Sequence, residues 1–161
     1  QELRDSSLVI NDIPDWDIAW RLHLVNQAEI LVRQLWQIGI NDIYLDGSFV
    51  EDKAHPNDID GYFPCDPMEL ATGELQRKLN AIDPHKVWIW DPATRQPYKG
   101  YVKKQLPMWH RYRVELYADI GLPSGIRDEH NNNQLFPAAF RKRRDTFEPK
   151  GIIKILKEGG K

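Results

Sequence analysis

The sequence contains one cysteine and no long hydrophobic run. Cys65 has no second cysteine with which to form an intramolecular disulfide, and one cysteine with five scattered histidines matches no zinc-binding spacing. No apolar stretch approaches the roughly 18 to 20 residues needed to span a bilayer, and the N-terminus lacks the apolar centre of a signal peptide. These absences argue against a disulfide scaffold, a structural zinc site and a membrane partner, and they predict a cytoplasmic protein.

Low-complexity segments are also absent, and the composition is typical of a folded globular chain. Of the 161 residues, 41% are hydrophobic and 29% are charged, which predicts a buried core and a single domain over residues 1–161. Apolar spacing predicts helices at 15–39, 66–79 and 138–144, strands at 43–45, 57–63, 87–90, 112–118 and 152–156, an ambiguous and partly helical stretch at 100–109, and a loop at 121–134. This alternation predicts an α+β fold of two α/β layers, in which a mixed β-sheet carries helices mainly on one face.

The net charge of −2 conceals two oppositely charged halves. Residues 1–94 carry 7 Lys and Arg against 17 Asp and Glu, a net charge of −10, whereas residues 95–161 carry 15 against 7, a net charge of +8. An acidic segment attracts divalent cations and a basic one attracts polyanions such as triphosphates or nucleic acid, provided that the two meet at one cleft. The alternative is that the halves only attract each other on folding.

The stretch YLDGSFVEDKAHPNDIDGYF, residues 44–63, contains a candidate phosphate site. Gly47 and Ser48 follow a short buried strand and are predicted to open a helix that runs to about Lys53. The free backbone N–H groups of its first turn, with the Ser48 hydroxyl, form an anion site. Glycine suits this position because a phosphate must approach backbone atoms that a Cβ would shield.

Asp58 and Asp60 lie on the extended segment that follows and project to one face of it. Their oxygens can share hard divalent cations, which polarise an α-phosphate and activate an incoming hydroxyl. The spacing alone is not specific, since Asp15 and Asp17 have it too, at a helix start where capping explains them. The strand, the glycine-serine turn and the proline before Asp58 distinguish the second pair.

Gly47-Ser48-Phe49 followed by Asp58-Ile59-Asp60 resembles the signature of the DNA polymerase β-like nucleotidyltransferase superfamily, most closely over residues 42–63. In that superfamily Gly-Ser opens a helix and an Asp-x-Asp pair binds Mg²⁺. The chain also resembles a group of small bacterial and phage nucleotidyltransferase-like proteins, through GSFVEDKAHPNDIDGYF and the ending FPAAFRKRRDTFEPKGIIKI. The resemblance implies a minimal nucleotidyltransferase fold, and the short chain leaves no room for the separate substrate domain of a polymerase.

The resemblance also implies a third carboxylate on a neighbouring strand. Val114-Glu115-Leu116 is similar to the apolar-acid-apolar pattern of the superfamily, and Asp119, on the same strand face, is the competing candidate. By this likeness Asp58 and Asp60 hold the metal on the triphosphate, and Asp60 with Glu115 holds the metal that lowers the pKa of the acceptor hydroxyl. The implied ion is Mg²⁺ or Mn²⁺.

Gly47, Ser48 and Lys53 are the implied nucleotide-binding residues. Further contacts to phosphate or acceptor are predicted for cations of the basic half, although exposed cations are more often simply solvated; these candidates are Arg113, Arg141, Arg144 and Lys150.

The function expected from the resemblance is metal-dependent transfer of an NMP from an NTP to a hydroxyl. The acceptor is an RNA 3′ end, a protein side chain or a small molecule, in a toxin or defence element with a cognate antitoxin or a second copy as partner. The alternative is a non-catalytic module on the same fold, which binds nucleotide or RNA or regulates a partner protein.

Overall fold

A computed structural model describes residues 1–143 and 146–157, which form a mixed β-sheet with five α-helices. The strands are β1 (Ile43–Asp46), β2 (Ile59–Pro64), β3 (Val114–Asp119), β4 (Pro123–Arg127), β5 (Asn133–Leu135) and β6 (Ile153–Ile155). The main sheet has the order β3-β2-β1-β6, in which β2 and β3 are parallel and the other neighbours are antiparallel. β4 and β5 form a separate hairpin. The α+β class and the mixed sheet are therefore confirmed.

The helices are α1 (Ile18–Gln37), α2 (Pro67–Ala71), α3 (Glu74–Ile82), α4 (Pro107–Tyr112) and α5 (Phe136–Ala139). α1 begins after Asp17, whose carboxylate accepts a hydrogen bond from the Trp20 amide at 2.9 Å. It ends just before Gly39, which has φ +89°. Among the described residues, no helix combines the length and apolarity that crossing a membrane would need.

The two faces of the main sheet differ in chemistry because side chains alternate along each strand. One face carries buried apolar residues that join α1 and α3 in the core, among them Leu45, Ile59 and Leu116. The opposite face carries Tyr44 and Tyr62, whose stacked rings lie 5.0 Å apart between centroids. The same face also carries acidic side chains, which the sheet separates from the apolar core.

The predicted strand at 87–90 is wrong, because this segment does not pair with any strand of the sheet. The side-chain amide of Asn80 occupies the backbone groups that a strand partner would use. Its Oδ1 accepts from the Trp88 N–H at 2.9 Å, and its Nδ2 donates to the Trp88 carbonyl at 3.0 Å. Trp88 is fully buried, and its indole N–H donates to Gln34 at 2.6 Å.

Four other local predictions need correction. The predicted helix at 66–79 is two helices, because Gly73 at φ +74° interrupts it. The stretch before Pro107 is not helical, and α4 begins at that proline instead. The predicted loop at 121–134 contains β4 and most of β5. The predicted helix at 138–144 is the single turn α5, which begins two residues earlier.

Candidate active site

Three carboxylates form a row across the polar face of the main sheet. Asp46 of β1 lies directly opposite Asp60 of β2, and Asp60 lies directly opposite Glu115 of β3. Directly opposed residues in neighbouring strands project to the same face, so the three side chains are adjacent. Asp58 precedes β2 by one residue and points to the same side as Asp60. We call Asp46, Asp60 and Glu115 the acidic row.

The acidic row lies in a cleft of about 560 Å³ that also contains Asp58. Gly47 and Ser48 line it on one side. Its other lining residues include cations from the basic half of the chain, namely Lys103, Lys142, Arg143 and Lys150. The oppositely charged halves of the sequence therefore meet at this cleft.

Gly47 and Ser48 form a tight turn against the acidic row. They begin a one-turn 3-10 helix, Gly47–Val50, so the predicted helix reaching Lys53 is too long; the chain is already extended at Glu51. Gly47 has φ +77°, and a Cβ on it would lie 2.4 Å from Asp60 Oδ2. Both the backbone conformation and the close approach to the carboxylate require glycine.

Arg21 of α1 holds this turn from behind. Its side chain is completely buried, and its guanidinium donates to the carbonyl oxygens of Leu8, Phe49 and Lys53, the last at 2.6 Å. The Trp16 ring lies 4.0 Å from the guanidinium carbon, and burial lowers the Arg21 pKa to about 10. Arg21 was not among the residues that the sequence patterns indicated. A cation on the apolar side of α1 is nevertheless unusual, and it indicates a specific buried partner.

Hydrogen bonds and ion pairs fix most of the carboxylates. Asp58 Oδ2 accepts from the indole N–H of Trp109 at 2.7 Å. Glu115 accepts from the Tyr117 hydroxyl and lies 3.6 Å from an Arg95 guanidinium nitrogen. The Lys150 ammonium lies 3.7 Å from Asp46 and 2.9 Å from Glu51. Within the described part of the chain, Asp58 and Asp60 form no ion pair.

The cleft raises the pKa of both aspartates that the sequence singled out. Burial raises the pKa of Asp58, against the hydrogen bond from Trp109, which lowers it. The pKa of Asp60 lies well above its ordinary value, first because of burial and then because of the negative charges of Asp58, Asp46 and Glu115. Negative charge is therefore crowded at Asp60, and a bound cation would relieve this crowding.

The donor set suits a hard divalent cation, because every candidate ligand is a carboxylate oxygen and such oxygens are the ligands of Mg²⁺ and Mn²⁺. The carboxylates are not gathered around one point, however. In residues 1–143 and 146–157, no group of three or more His, Cys, Asp or Glu side chains is arranged to hold a metal ion. The hydrogen bond from Trp109 to Asp58 and the ion pair of Arg95 with Glu115 account for part of this spread.

The structure separates the two candidates for the third carboxylate. Glu115 is the direct neighbour of Asp60, whereas Asp119 lies four residues further along β3, opposite Pro64. Asp119 Oδ1 accepts from the Gly121 amide and borders a different pocket, of about 380 Å³. Geometry therefore favours Glu115 as the third member of the site.

Only some of the predicted phosphate-binding cations line the cleft. Lys53 and Lys150 line the cleft. Arg113 does not line it, because its guanidinium lies over the Trp109 ring, 3.9 Å from the centroid. Arg141 borders the pocket of Asp119 instead. Arg144 lies outside the described residues.

Asp46, Lys103 and Trp109 are functional candidates that sequence analysis did not find. Asp46 lies two residues after Tyr44 on β1, so both side chains point to the same face of the sheet, and it directly precedes the glycine-serine turn. This position could have indicated Asp46 as a site residue. Trp109 contacts Asp58 across 51 positions of sequence, and local patterns carry no information on such a contact.

Comparison with curated proteins and with solved structures finds no match to the chain. Residues 1–156 match a protein family that is described as a family of unknown function, DUF6932. Because the match covers nearly the whole sequence, the protein belongs to the DUF6932 family.

Proposed function

We propose that the protein is a metal-dependent nucleotidyltransferase, which transfers an NMP from an NTP to a hydroxyl acceptor on a minimal nucleotidyltransferase fold. One observation carries this proposal: Asp58 and the acidic row lie on one sheet face, inside a cleft, beside the Gly47-Ser48 turn. A purely structural cluster of acids would be expected to have its charges paired, yet neither Asp58 nor Asp60 has an ion pair among the described residues.

Asp58, Asp60 and Glu115 would hold Mg²⁺ or Mn²⁺. Such an ion, when bound, polarises the α-phosphate and lowers the pKa of the acceptor hydroxyl. Trp109 orients Asp58 through the indole N–H, and Tyr117 orients Glu115 through the phenol hydroxyl. Partners of this kind commonly orient the ligands of a metal site.

The remaining groups of the cleft suit the triphosphate. Gly47 brings the backbone close to the site without a Cβ, and the Ser48 hydroxyl is available as a donor beside it. The ammonium groups of Lys53, Lys103 and Lys150 line the same cleft and would neutralise phosphate charge. Positioning and charge neutralisation are the main requirements of phosphoryl chemistry, so a cysteine or histidine nucleophile is not needed.

The acceptor oxygen forms a bond to the α-phosphorus, the bond from that phosphorus to the bridging oxygen of the β-phosphate breaks, and pyrophosphate leaves with the bond electrons. The hydroxyl proton is released to water as the bond to phosphorus forms.

Label transfer tests the proposal. The protein is incubated with each α-labelled NTP, with Mg²⁺ or Mn²⁺, and with total RNA or cell lysate. Transfer is expected with the parent protein and with the control Asp119→Asn. Asp119 lies on β3, as Glu115 does, but outside the cleft. The variants Asp58→Asn and Asp60→Asn are expected to transfer none. Equal transfer by all four proteins would contradict the proposal.

A second candidate function is a non-catalytic module that binds nucleotide or RNA. The engagement of Glu115 by Arg95 and Tyr117 favours it, since these contacts occupy a carboxylate that catalysis would use. Metal-dependent nucleotide binding that is lost in Asp60→Asn, without label transfer under any condition, would support this candidate over the enzyme.

A further inference from the structure

The segment before β3, which contributes Lys103 and Gln105 to the cleft, carries positive charge only. Residues 95–113 contain six Lys and Arg residues and no Asp or Glu, a net charge of +6. Within this segment Gln96 and Gln105 exchange backbone hydrogen bonds of 2.9 and 2.8 Å, which close residues 96–105 into a loop that turns at Gly100, φ +84°. We call residues 96–105 the basic loop.

The residues that flank the basic loop contact Glu115 of the acidic row. Arg95, at its start, lies 3.6 Å from Glu115 and donates to the Lys104 carbonyl at 3.2 Å. Leu106, just after its end, donates its amide to Glu115 at 3.4 Å. Lys103 of the loop lines the cleft itself. A ligand on the loop would therefore extend to the acidic row.

The lysines of the basic loop are available to a ligand. Lys99, Lys103 and Lys104 are exposed, and none of them forms an ion pair with another described residue. Among the other cations that line the cleft, Lys142 pairs with Glu129 at 2.7 Å, Arg143 with Asp52 at 3.9 Å and Lys150 with Glu51 at 2.9 Å, whereas Lys53 and Arg127 form no ion pair with another described residue. The basic loop thus adds three unpaired cations that are close together in the sequence, and one of them lines the cleft.

Aromatic rings accompany these cations. The Tyr98 ring is 39% exposed and packs at 5.3 Å against Tyr101 and at 5.1 Å against Trp109. The Arg113 guanidinium lies 4.3 Å from the Tyr98 ring centroid. Alternating cations and partly exposed aromatic rings are typical of surfaces that bind single-stranded nucleic acid, because the cations contact phosphates and the rings stack on bases.

We propose that the basic loop binds a single-stranded polynucleotide and presents it to the acidic row as the acceptor. This inference rests on the proposed function, because it names the class of acceptor for the same transfer step. The strand supplies the hydroxyl whose oxygen bonds to the α-phosphorus as pyrophosphate leaves. A single strand fits better than a duplex, since only unpaired bases offer their faces to Tyr98.

Fluorescence anisotropy tests the proposal with no NTP present and with divalent metal removed by EDTA. The probes are labelled oligouridylate, labelled oligothymidylate, a duplex RNA of equal length, and polyglutamate as an unrelated polyanion. The test variant is Lys99→Glu/Lys104→Glu. The matched control is Arg77→Glu/Lys86→Glu, which makes the same charge change on exposed residues in and after α3, on the core side of the sheet. Circular dichroism and urea unfolding establish that every variant is folded.

The parent protein and the control are expected to bind a single strand more tightly than the duplex or polyglutamate. Lys99→Glu/Lys104→Glu is expected to bind it about tenfold or more weakly, with a salt slope smaller by about 1.4, or 0.7 for each lost phosphate contact. Tyr98→Leu is expected to weaken binding about 5- to 150-fold, and Tyr98→Phe is expected to preserve it. The RNA and DNA probes identify the sugar of the strand.

Equal binding by the parent and Lys99→Glu/Lys104→Glu would overturn the proposal. Polyglutamate binding as tight as strand binding, with the same sensitivity to the variant, would also overturn it and would indicate an acidic protein partner. Strand binding without label transfer would refute the proposed function and the acceptor role of the strand but not the binding surface, whereas label transfer without strand binding would refute only the role of the basic loop.

Discussion

Replacing Asp60 with Asn is expected to stabilise the protein in the absence of metal while abolishing label transfer. Opposed Cβ atoms in neighbouring strands lie about 5 Å apart, and two unit charges at that distance repel by about 3 kcal/mol at an effective dielectric constant of about 20. Arg95 lies 3.6 Å from Glu115 and Lys150 lies 3.7 Å from Asp46, so both neighbours are partly neutralised. The remaining gain in the free energy of unfolding is about 1 to 2 kcal/mol.

This gain depends on pH in a defined direction. The folded protein raises the Asp60 pKa well above its ordinary value of 3.8, so it binds the proton more tightly than the unfolded chain does. Between the ordinary value and the raised value, acidification therefore stabilises the parent protein. Asn cannot take up this proton, so the advantage of Asp60→Asn grows as the pH rises from the ordinary pKa towards the raised pKa, and it disappears as the pH falls below about 4.

Urea unfolding followed by tryptophan fluorescence measures the effect, near neutral pH and under acid conditions, with EDTA or with Mg²⁺. Mg²⁺ is expected to stabilise the parent protein and the control Asp119→Asn, and to leave Asp60→Asn unchanged. If Asp60→Asn is less stable than the parent in EDTA, or if Mg²⁺ stabilises both equally, Asp60 has a structural role and the argument from crowded charge fails.

Three further outcomes are expected. Gly47→Ala is expected to lower the free energy of unfolding and label transfer more than Gly39→Ala does, as measured by urea unfolding and transfer assays. Both glycines have a positive φ, but only a Cβ at Gly47 would lie 2.4 Å from Asp60 Oδ2. Equal effects of the two substitutions would contradict this. Arg21→Met lowers the free energy of unfolding by about 3 kcal/mol or more, measured in urea, because it leaves buried carbonyl groups without a donor; a loss below about 1 kcal/mol would contradict this. Trp109→Phe weakens Mn²⁺ binding about 10- to 100-fold in electron paramagnetic resonance titrations, because the neighbouring carboxylate loses its orienting hydrogen bond; unchanged affinity would contradict this.

The elements with strong local patterns could be predicted from the sequence. α1 has apolar residues at three- and four-residue spacing and a glycine after its end, and β2 has apolar and acidic residues on alternate faces. Apolar Val114 and Leu116 alternate with Glu115, a pattern that predicts a Glu115 side chain on the polar side of the strand, and in the structure it lies beside Asp60. Periodicity predicts such features because it depends only on neighbouring residues.

Features that depend on pairing could not be predicted. The segment ending at Trp90 has the composition of a strand, but the side chain of Asn80 occupies its backbone groups. The choice of Glu115 over Asp119 required the register between β2 and β3. Asp46 joins the site only because β1 pairs with β2 in the observed register, and a shift of one residue would turn its side chain to the core face.

The buried guanidinium of Arg21 links α1 to two other segments, the N-terminal stretch at Leu8 and the turn at residues 49–53. Its acceptors are the carbonyl groups of Leu8, Phe49 and Lys53. None of these carbonyls can open to water without disturbing the same side chain, so their local opening is cooperative. The amide hydrogen of Glu51, which donates to the Ser48 carbonyl at 3.3 Å, is therefore expected to exchange with deuterium mainly in fluctuations that also disturb the start of α1.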